Sequence, residues 1–306
     1  MVTSEEGIGR LGRAAKALIC DRDVLKDVRM KGRGGKGTDQ VAEEEVEELL
    51  NQNLEMAVIW DAQGMNDVPV LVGEDTFNDL IDSGAPVIGR GHGSEGNASD
   101  YLDDDLRFLP GTGGEASGKG EYWSDPTGGW SSWQSGDGNT VAVLSPNVRR
   151  MGSEELNAEA AANRQISKAF ELVNAGYAGD EITKTDPADV IAKMDAEIAK
   201  ISDLADSAPI WETQIGQLWK QLKDSVRENG DPDSLNAMLL LNKINNTYDG
   251  KNLIAPILGY DTIKLNNGVE LVMNRSALIT LDRTLSGGDL STFYKRARDV
   301  YAERRG

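Results

Sequence analysis

The chain has 306 residues, 39% hydrophobic and 27% charged, long enough for one large domain or two ordinary ones. A formal net charge of −19 argues against nucleic-acid binding over the whole surface, which rests on neutralising phosphates with Lys and Arg. One cysteine, Cys20, excludes an internal disulfide, and one histidine and one cysteine cannot furnish a structural zinc site, so no metal is expected.

Residues 1–37 carry nine Lys/Arg and five Asp/Glu, a basic segment on an acidic chain, read as a basic, helical N-terminal extension over 1–45. Nucleic acid is not an expected partner, with this tail as the one exception. No apolar run reaches the ~20 residues of a membrane span, and no secretory signal is visible. The run Lys31-Gly32-Arg33-Gly34-Gly35-Lys36-Gly37-Thr38 resembles a phosphate loop. Gly37 separates the lysine from the threonine and no apolar strand precedes, so it is rejected as a nucleotide site.

Val41 to Leu50 reads as an acidic helix, and Asn66 to Val72 as a short β-type run. Asp75 to Asp82 predicts a helix with Phe77, Leu80 and Ile81 on one face. Ala85 to Ile88 predicts a strand that runs into a glycine-dense stretch. Residues 89–138 hold thirteen glycines, three of the six tryptophans and the sole histidine. Ordering glycine costs more backbone entropy than ordering any other residue, so such a stretch is either a linker or a ligand loop.

Thr140 to Leu144 predicts a strand. From Ser153 to Thr247 apolar residues recur at helical spacing, first from Val190 to Leu204 behind Asp186-Pro187, then from Trp211 to Val226, which Asn229-Gly230 stops. Asp231-Pro232 opens a further helix. Three short strands are expected in Asp261–Leu265, Val269–Met273 and Ala277–Leu281, then a charged helix over 289–304. Strands, a helical block and strands again indicate α+β rather than alternating βαβ units.

Several side chains carry chemistry in this pattern. Arg90 stands at a strand end between Gly89 and Gly91, where a guanidinium can approach an anion; an ordinary loop arginine gives the same sequence. His92 is either a ligand contact or a solvated loop histidine. Tyr122-Trp123-Ser124 follows Gly118-Lys119-Gly120, as a stacking strand with a nearby hydroxyl or as a core aromatic pair. Glu270 lies within the apolar run Val269–Met273, where a carboxylate must face solvent or a cleft, because burying it unpaired is costly.

Together these motifs resemble the ADP-ribosyltransferases, especially those of phages and prophages. The matching residues are Val68-Pro69-Val70, the Phe77–Leu80 helix, Pro86-Val87-Ile88-Gly89-Arg90-Gly91, Gly118-Lys119-Gly120-Glu121-Tyr122-Trp123-Ser124, Leu258-Gly259-Tyr260-Asp261-Thr262-Ile263 and Glu270-Leu271-Val272-Met273-Asn274-Arg275. The resemblance covers roughly 55–285. It implies an α+β fold of split β-sandwich type, with an NAD cleft. The transferase-like domain would span 46–285, with a helical insertion over about 153–247 and a charged C-terminal helix over 286–306.

The implied activity is mono-ADP-ribosyl transfer from NAD, as substrate, to an acceptor protein of the host, with release of nicotinamide. Arg90, Ser124 and Glu270 would be the catalytic set. Arg90, Gly91, His92, Gly120, Tyr122 and Trp123 would hold NAD. The location implied is the host cytoplasm or the virion, with no membrane partner. Alternatives are a virion interaction protein with a degenerate transferase domain, and an NAD glycohydrolase. The Glu-x-Glu pair of arginine-modifying members is absent, with Gly268 at its first position, and Gly89 replaces the family's aromatic before Arg-Gly. His92-Gly93-Ser94 is similar to the family's His-based branch. With His92 as the true match, the ribose contact would move by two residues.

Overall fold

The computed structural model describes residues 11–12, 59, 69–92, 120–126, 138–177, 181–201, 209–245, 250–266 and 268–305. The glycine-rich run at 31–38, the acidic helix at 41–50, Trp130, Trp133 and most of the glycine-dense stretch lie outside them. The described residues form a mixed α/β structure around an open, mixed sheet.

In chain order the strands are β1 (Val70–Val72), β2 (Val87–Gly91), β3 (Glu121–Ser124), β4 (Asn139–Leu144), β5 (Arg150–Gly152), β6 (Thr262–Lys264), β7 (Val269–Val272) and β8 (Leu278–Leu281). They are hydrogen-bonded in the order β1-β8-β4-β2-β3-β7-β6-β5. The expected pair of facing sheets is therefore a single ladder, with a narrow waist. β2 meets β3 only at Gly89↔Ser124, whereas β2 pairs with β4 over five positions and β3 with β7 over four.

The waist divides the sheet into two four-stranded halves, and it curls there. β7 and β8 are four strand spacings apart, about 19 Å in a flat sheet. The connection between them spends Arg275–Ala277 in a 3-10 turn, which rises only about 2 Å per residue. The curl lets the two halves share one apolar cluster, Ile88, Ala142, Leu144 and Leu278 from one and Trp123 and Val272 from the other.

Strand alternation assigns the remaining faces. Val87, Val141, Val143 and Leu281 point outward against α1 (Glu74–Asp82) and α8 (Gly287–Arg305). Phe77 of α1 meets Phe293 of α8 edge to face, with ring centroids 5.5 Å apart. The helix predicted over Asp75–Asp82 begins one residue early at Glu74, and Phe77 and Ile81 are its buried residues. The predicted strand at Ala85–Ile88 is displaced to Val87–Gly91, because five consecutive residues there pair with β4.

Outward residues of the other half, Met151, Ile263 and Leu271, lie under the helical block. Its long helices are α2 (Ser153–Asn174), α4 (Pro187–Ile198), α5 (Gln214–Asn229) and α6 (Pro232–Asn245); α3 (Glu181–Lys184) and α7 (Ile254–Ile257) are single turns. The caps read from sequence are in place. Asp186 accepts a hydrogen bond from Ala188 N, and α5 stops at Gly230, whose φ is 61°. Trp211 is not on α5 as its periodicity suggested, but in a 3-10 turn just before it. Thr213 Oγ1 accepts from Gly216 N, while both carboxylate oxygens of the buried Glu159 accept from Gln214 N and Ile215 N. Three amides at the start of α5 are thereby satisfied.

Inside the block Trp219 Nε1 donates to Asn163 Oδ1 at 2.8 Å, and Asn163 Nδ2 donates to the Leu241 carbonyl at 3.1 Å, tying α2, α5 and α6 together. Beyond the expected limit of 247, Gly250–Leu253 form a 3-10 turn and Ile254–Ile257 a helical turn. Leu11, from the N-terminal extension, and Ile59 are both fully buried in this core. Among the described residues no helix is long and apolar enough to cross a membrane.

Candidate functional site

Glu270 lies on β7, and of the two expected settings, solvent or a cleft, its burial excludes solvent. It is only 2% exposed. Its burial is offset by partners that sequence reading did not find. Arg150 of β5 donates from Nε to Oε1 at 3.1 Å and from Nη2 to Oε2 at 2.6 Å. The Thr262 hydroxyl on β6 donates to Oε1. This is the fork-to-fork geometry that makes Arg–carboxylate pairs strong and directional.

Register explains how three strands deliver these groups to one place. Arg150 pairs with Thr262, and Thr262 pairs with Val272. Directly paired residues share a face, and so do residues two apart on a strand. Arg150, Thr262, Glu270 and Val272 therefore all point away from the helical block. Trp123 pairs with Glu270 and Glu121 with Val272, so both join that face.

The other half of the sheet contributes its own inward face. Arg90 pairs with Thr140, and Ile88 with Ala142. Ile88 and Ala142 belong to the shared apolar cluster, so Arg90 and Thr140 follow on the same side. Arg90 Nη1 reaches Glu121 Oε2 at 3.4 Å, and Arg275 Nε reaches Glu121 Oε1 at 3.1 Å. Both ion pairs cross between elements that are far apart in sequence. Glu121 is 2% exposed, and Arg275 lies in the 3-10 turn after β7.

His92 follows β2 and is hydrogen-bonded through Nε2 to Thr140 Oγ1 at 2.9 Å, so it is not a solvated loop residue. Burial, and then the charges of Arg90 and Arg275, push its pKa down to about 3. The ring is neutral in the folded protein at pH 7, whereas in the unfolded chain it titrates near 6.5. Between these values the unfolded chain binds a proton that the native protein does not. Stability is fully present above pH 6.5 and falls as the pH drops towards 3. Denaturation midpoints at pH 7.5 and 4.5 should therefore move further apart in the wild type than in His92→Gln. Equal pH dependence in the two proteins would refute this.

The other sequence candidates separate by face. Ser124 adjoins Trp123, so its side chain leaves the strand on the side opposite Trp123 and Glu270, where its Oγ donates to the Asp125 carbonyl at 3.3 Å. Its own carbonyl accepts from Tyr294 Oη at 2.9 Å. Tyr122 packs against the helical block, while Trp123 is buried in the shared cluster. Of this aromatic pair only Trp123 is on the Glu270 face. Gly120 has φ +134°, and a side chain there would also collide with Leu271 and Met273. Gly91 ends β2, opposite Asn139.

The late motifs build the support beneath Glu270. Asp261 Oδ2 accepts from Arg149 N at 2.8 Å and its Oδ1 from Asn274 Nδ2 at 2.7 Å. The Arg149 guanidinium lies 4.7 Å from the Tyr260 ring centroid, and Tyr260 Oη donates to Glu155 of α2 at 2.7 Å. Leu258-Gly259-Tyr260-Asp261-Thr262 thus fixes β5 against β6, which aligns Arg150 and Thr262. Among the described residues no group of three or more His, Cys, Asp or Glu could hold a metal ion.

The inner face thus presents two carboxylates and three arginines within a largely buried lining. Such a lining can bind an anion and stabilise a developing positive charge beside it. Comparison with protein-family models, with curated proteins and with solved structures returned no match.

Proposed function

We propose that the chain is a mono-ADP-ribosyltransferase with the split β-sandwich of that family, using NAD as substrate. The observation that carries this reading is the Glu270 carboxylate, held in one orientation by Arg150 and Thr262 on the face to which Arg90 also belongs. Arg90 binds NAD through its phosphates or ribose, with His92 as a neutral hydrogen-bonding neighbour. Glu270 accepts a hydrogen bond from the nicotinamide ribose and stabilises positive charge on it. The bond from the ribose C1′ to the nicotinamide nitrogen breaks, and its electron pair leaves with nicotinamide. A nucleophile of the acceptor protein bonds to C1′ and releases its proton to solvent.

A carboxylate engaged by a bidentate arginine suits this role, which calls for a fixed negative charge and no proton transfer. Incubation with labelled NAD and a host lysate should label protein, and Glu270→Gln should slow labelling by about 100-fold or more. An unchanged rate in that variant, or neither labelling nor NAD consumption by the wild type, would refute the reading. Free ADP-ribose as the sole product would identify a glycohydrolase instead.

A second reading rests on the same residue. Both oxygens of Glu270 are already engaged and the side chain is almost wholly buried, as in a transferase domain that keeps its scaffold for assembly contacts alone. NAD would then leave the melting temperature unchanged, whereas an NAD-dependent rise would exclude a fully dead site.

A further inference from the structure

Glu121 has no task in the proposed reaction. Its carboxylate is nevertheless buried, at 2% exposure, and contacts two guanidinium groups at 3.4 and 3.1 Å. Arg90 comes from β2 and Arg275 from the turn between β7 and β8, so the three residues meet where the halves of the sheet join. A buried cation, Arg275, and a half-buried one, Arg90, repel each other where the dielectric is low, and an anion between them offsets that repulsion. Their field is felt nearby, since the same two arginines help to keep His92 unprotonated.

We propose that Arg90 and Arg275 form a site for a phosphate or pyrophosphate group, and that Glu121 occupies it as a built-in counter-ion which the ligand displaces. The anion site rests on the ion-pair geometry. Only the identity of its ligand as part of a dinucleotide rests on the transferase reading. Two guanidinium forks match the several oxygens of a pyrophosphate better than the Glu121 carboxylate between them. Glu121 thereby keeps the arginines together when no ligand is bound, at the expense of ligand affinity. It acts as a counter-ion in competition with substrate, which makes its removal a gain for binding.

The test uses the full chain at low ionic strength, with inorganic pyrophosphate and ADP-ribose as separate probes. Titration calorimetry should show Glu121→Gln binding pyrophosphate at least tenfold more tightly than the wild type. Without anion the variant should melt below the wild type, and pyrophosphate should raise its melting temperature by more. Adding Arg275→Gln should abolish the gain.

A folded Glu121→Gln protein with unchanged or weaker pyrophosphate affinity overturns the proposal. If that variant does not fold, Glu121→Asp serves, since its shorter arm withdraws the carboxylate. A smaller tightening is then expected, and none overturns the proposal. Tightening towards pyrophosphate with no ADP-ribose binding in any variant upholds the anion site and removes the dinucleotide reading.

Discussion

Arg150→Ala should lower the free energy of unfolding by about 3 kcal/mol, one of the largest single-site effects in this protein. The reason is the charge left behind. Glu270 is 2% exposed, and without Arg150 its carboxylate retains only the Thr262 hydroxyl and any backbone donors. Removing one partner of a buried pair costs far more than the pair itself contributes, because the survivor stays desolvated. Urea unfolding of Arg150→Ala, Thr262→Val and Arg150→Lys checks this.

Thr262→Val removes one hydrogen bond to a charged acceptor and should cost about 1.5–3 kcal/mol. Arg150→Lys keeps the charge and loses the fork, so it should recover part of the loss. Under the transferase reading Arg150 is a positioning residue. Arg150→Lys should then lower kcat with KM nearly unchanged, as for an interaction that matters only once charge develops. A loss confined to KM, or full stability in Arg150→Ala, would contradict this assignment.

Gly89→Ala should be the most damaging change of a single methyl group. A Cβ at this position would lie 2.3 Å from Tyr294 Oη and 2.9 Å from Leu290 Cδ1, both on α8. Tyr294 cannot simply turn away, because its hydroxyl donates to the Ser124 carbonyl across the waist of the sheet. Overpacking of this kind costs about 2–3 kcal/mol. Tyr294→Phe alone should cost about 1 kcal/mol for the lost hydrogen bond. The double variant should be more stable than the sum predicts, since removing Oη relieves the worst contact. Strict additivity in thermal or urea unfolding would mean that the methyl group is accommodated some other way.

Gly89 also marks what the sequence could and could not disclose. In the sequence it is one glycine at the start of a glycine-dense stretch. What excludes a side chain there is a tyrosine 205 residues later, which no local pattern reveals. The helices were legible because amphipathic spacing and caps are local signals. Asp186, Gly230 and the Phe77–Ile81 face all lie where spacing placed them. Trp211 went astray because a 3-10 turn can continue the apolar stripe of the helix that follows it.

The site was legible only in its strand residues. Glu270 and Arg90 stand out as charges among apolar or glycine neighbours. Arg150 and Thr262 sit in three-residue strands whose meaning depends on pairing across the 109 residues between β5 and β6. Glu121 was hidden within a motif in which the aromatic residues drew attention. Arg275 is separated from it by more than 150 residues. Long-range ion pairs leave no periodicity, so register alone exposes them. The same holds for Ser124, whose face is decided by its neighbour's pairing with Glu270.

The chain passes back and forth across the waist. β1, β2, β4 and β8 make one half, while β3, β5, β6 and β7 make the other. Neither half is a continuous piece of sequence, so no cut in the chain frees one as an autonomous unit. β3 in particular must find its place beside β7, while its chain neighbours β2 and β4 pair with each other in the first half. Such order imposes a high loop-closure entropy before any pairing is rewarded, and high contact order slows folding. The helical block has no such handicap. Its helices follow one another in sequence, and both its ends return to the adjacent strands β5 and β6. In refolding, helical signal should therefore recover well before the Trp123 environment, with the sheet closing as the last and slowest event.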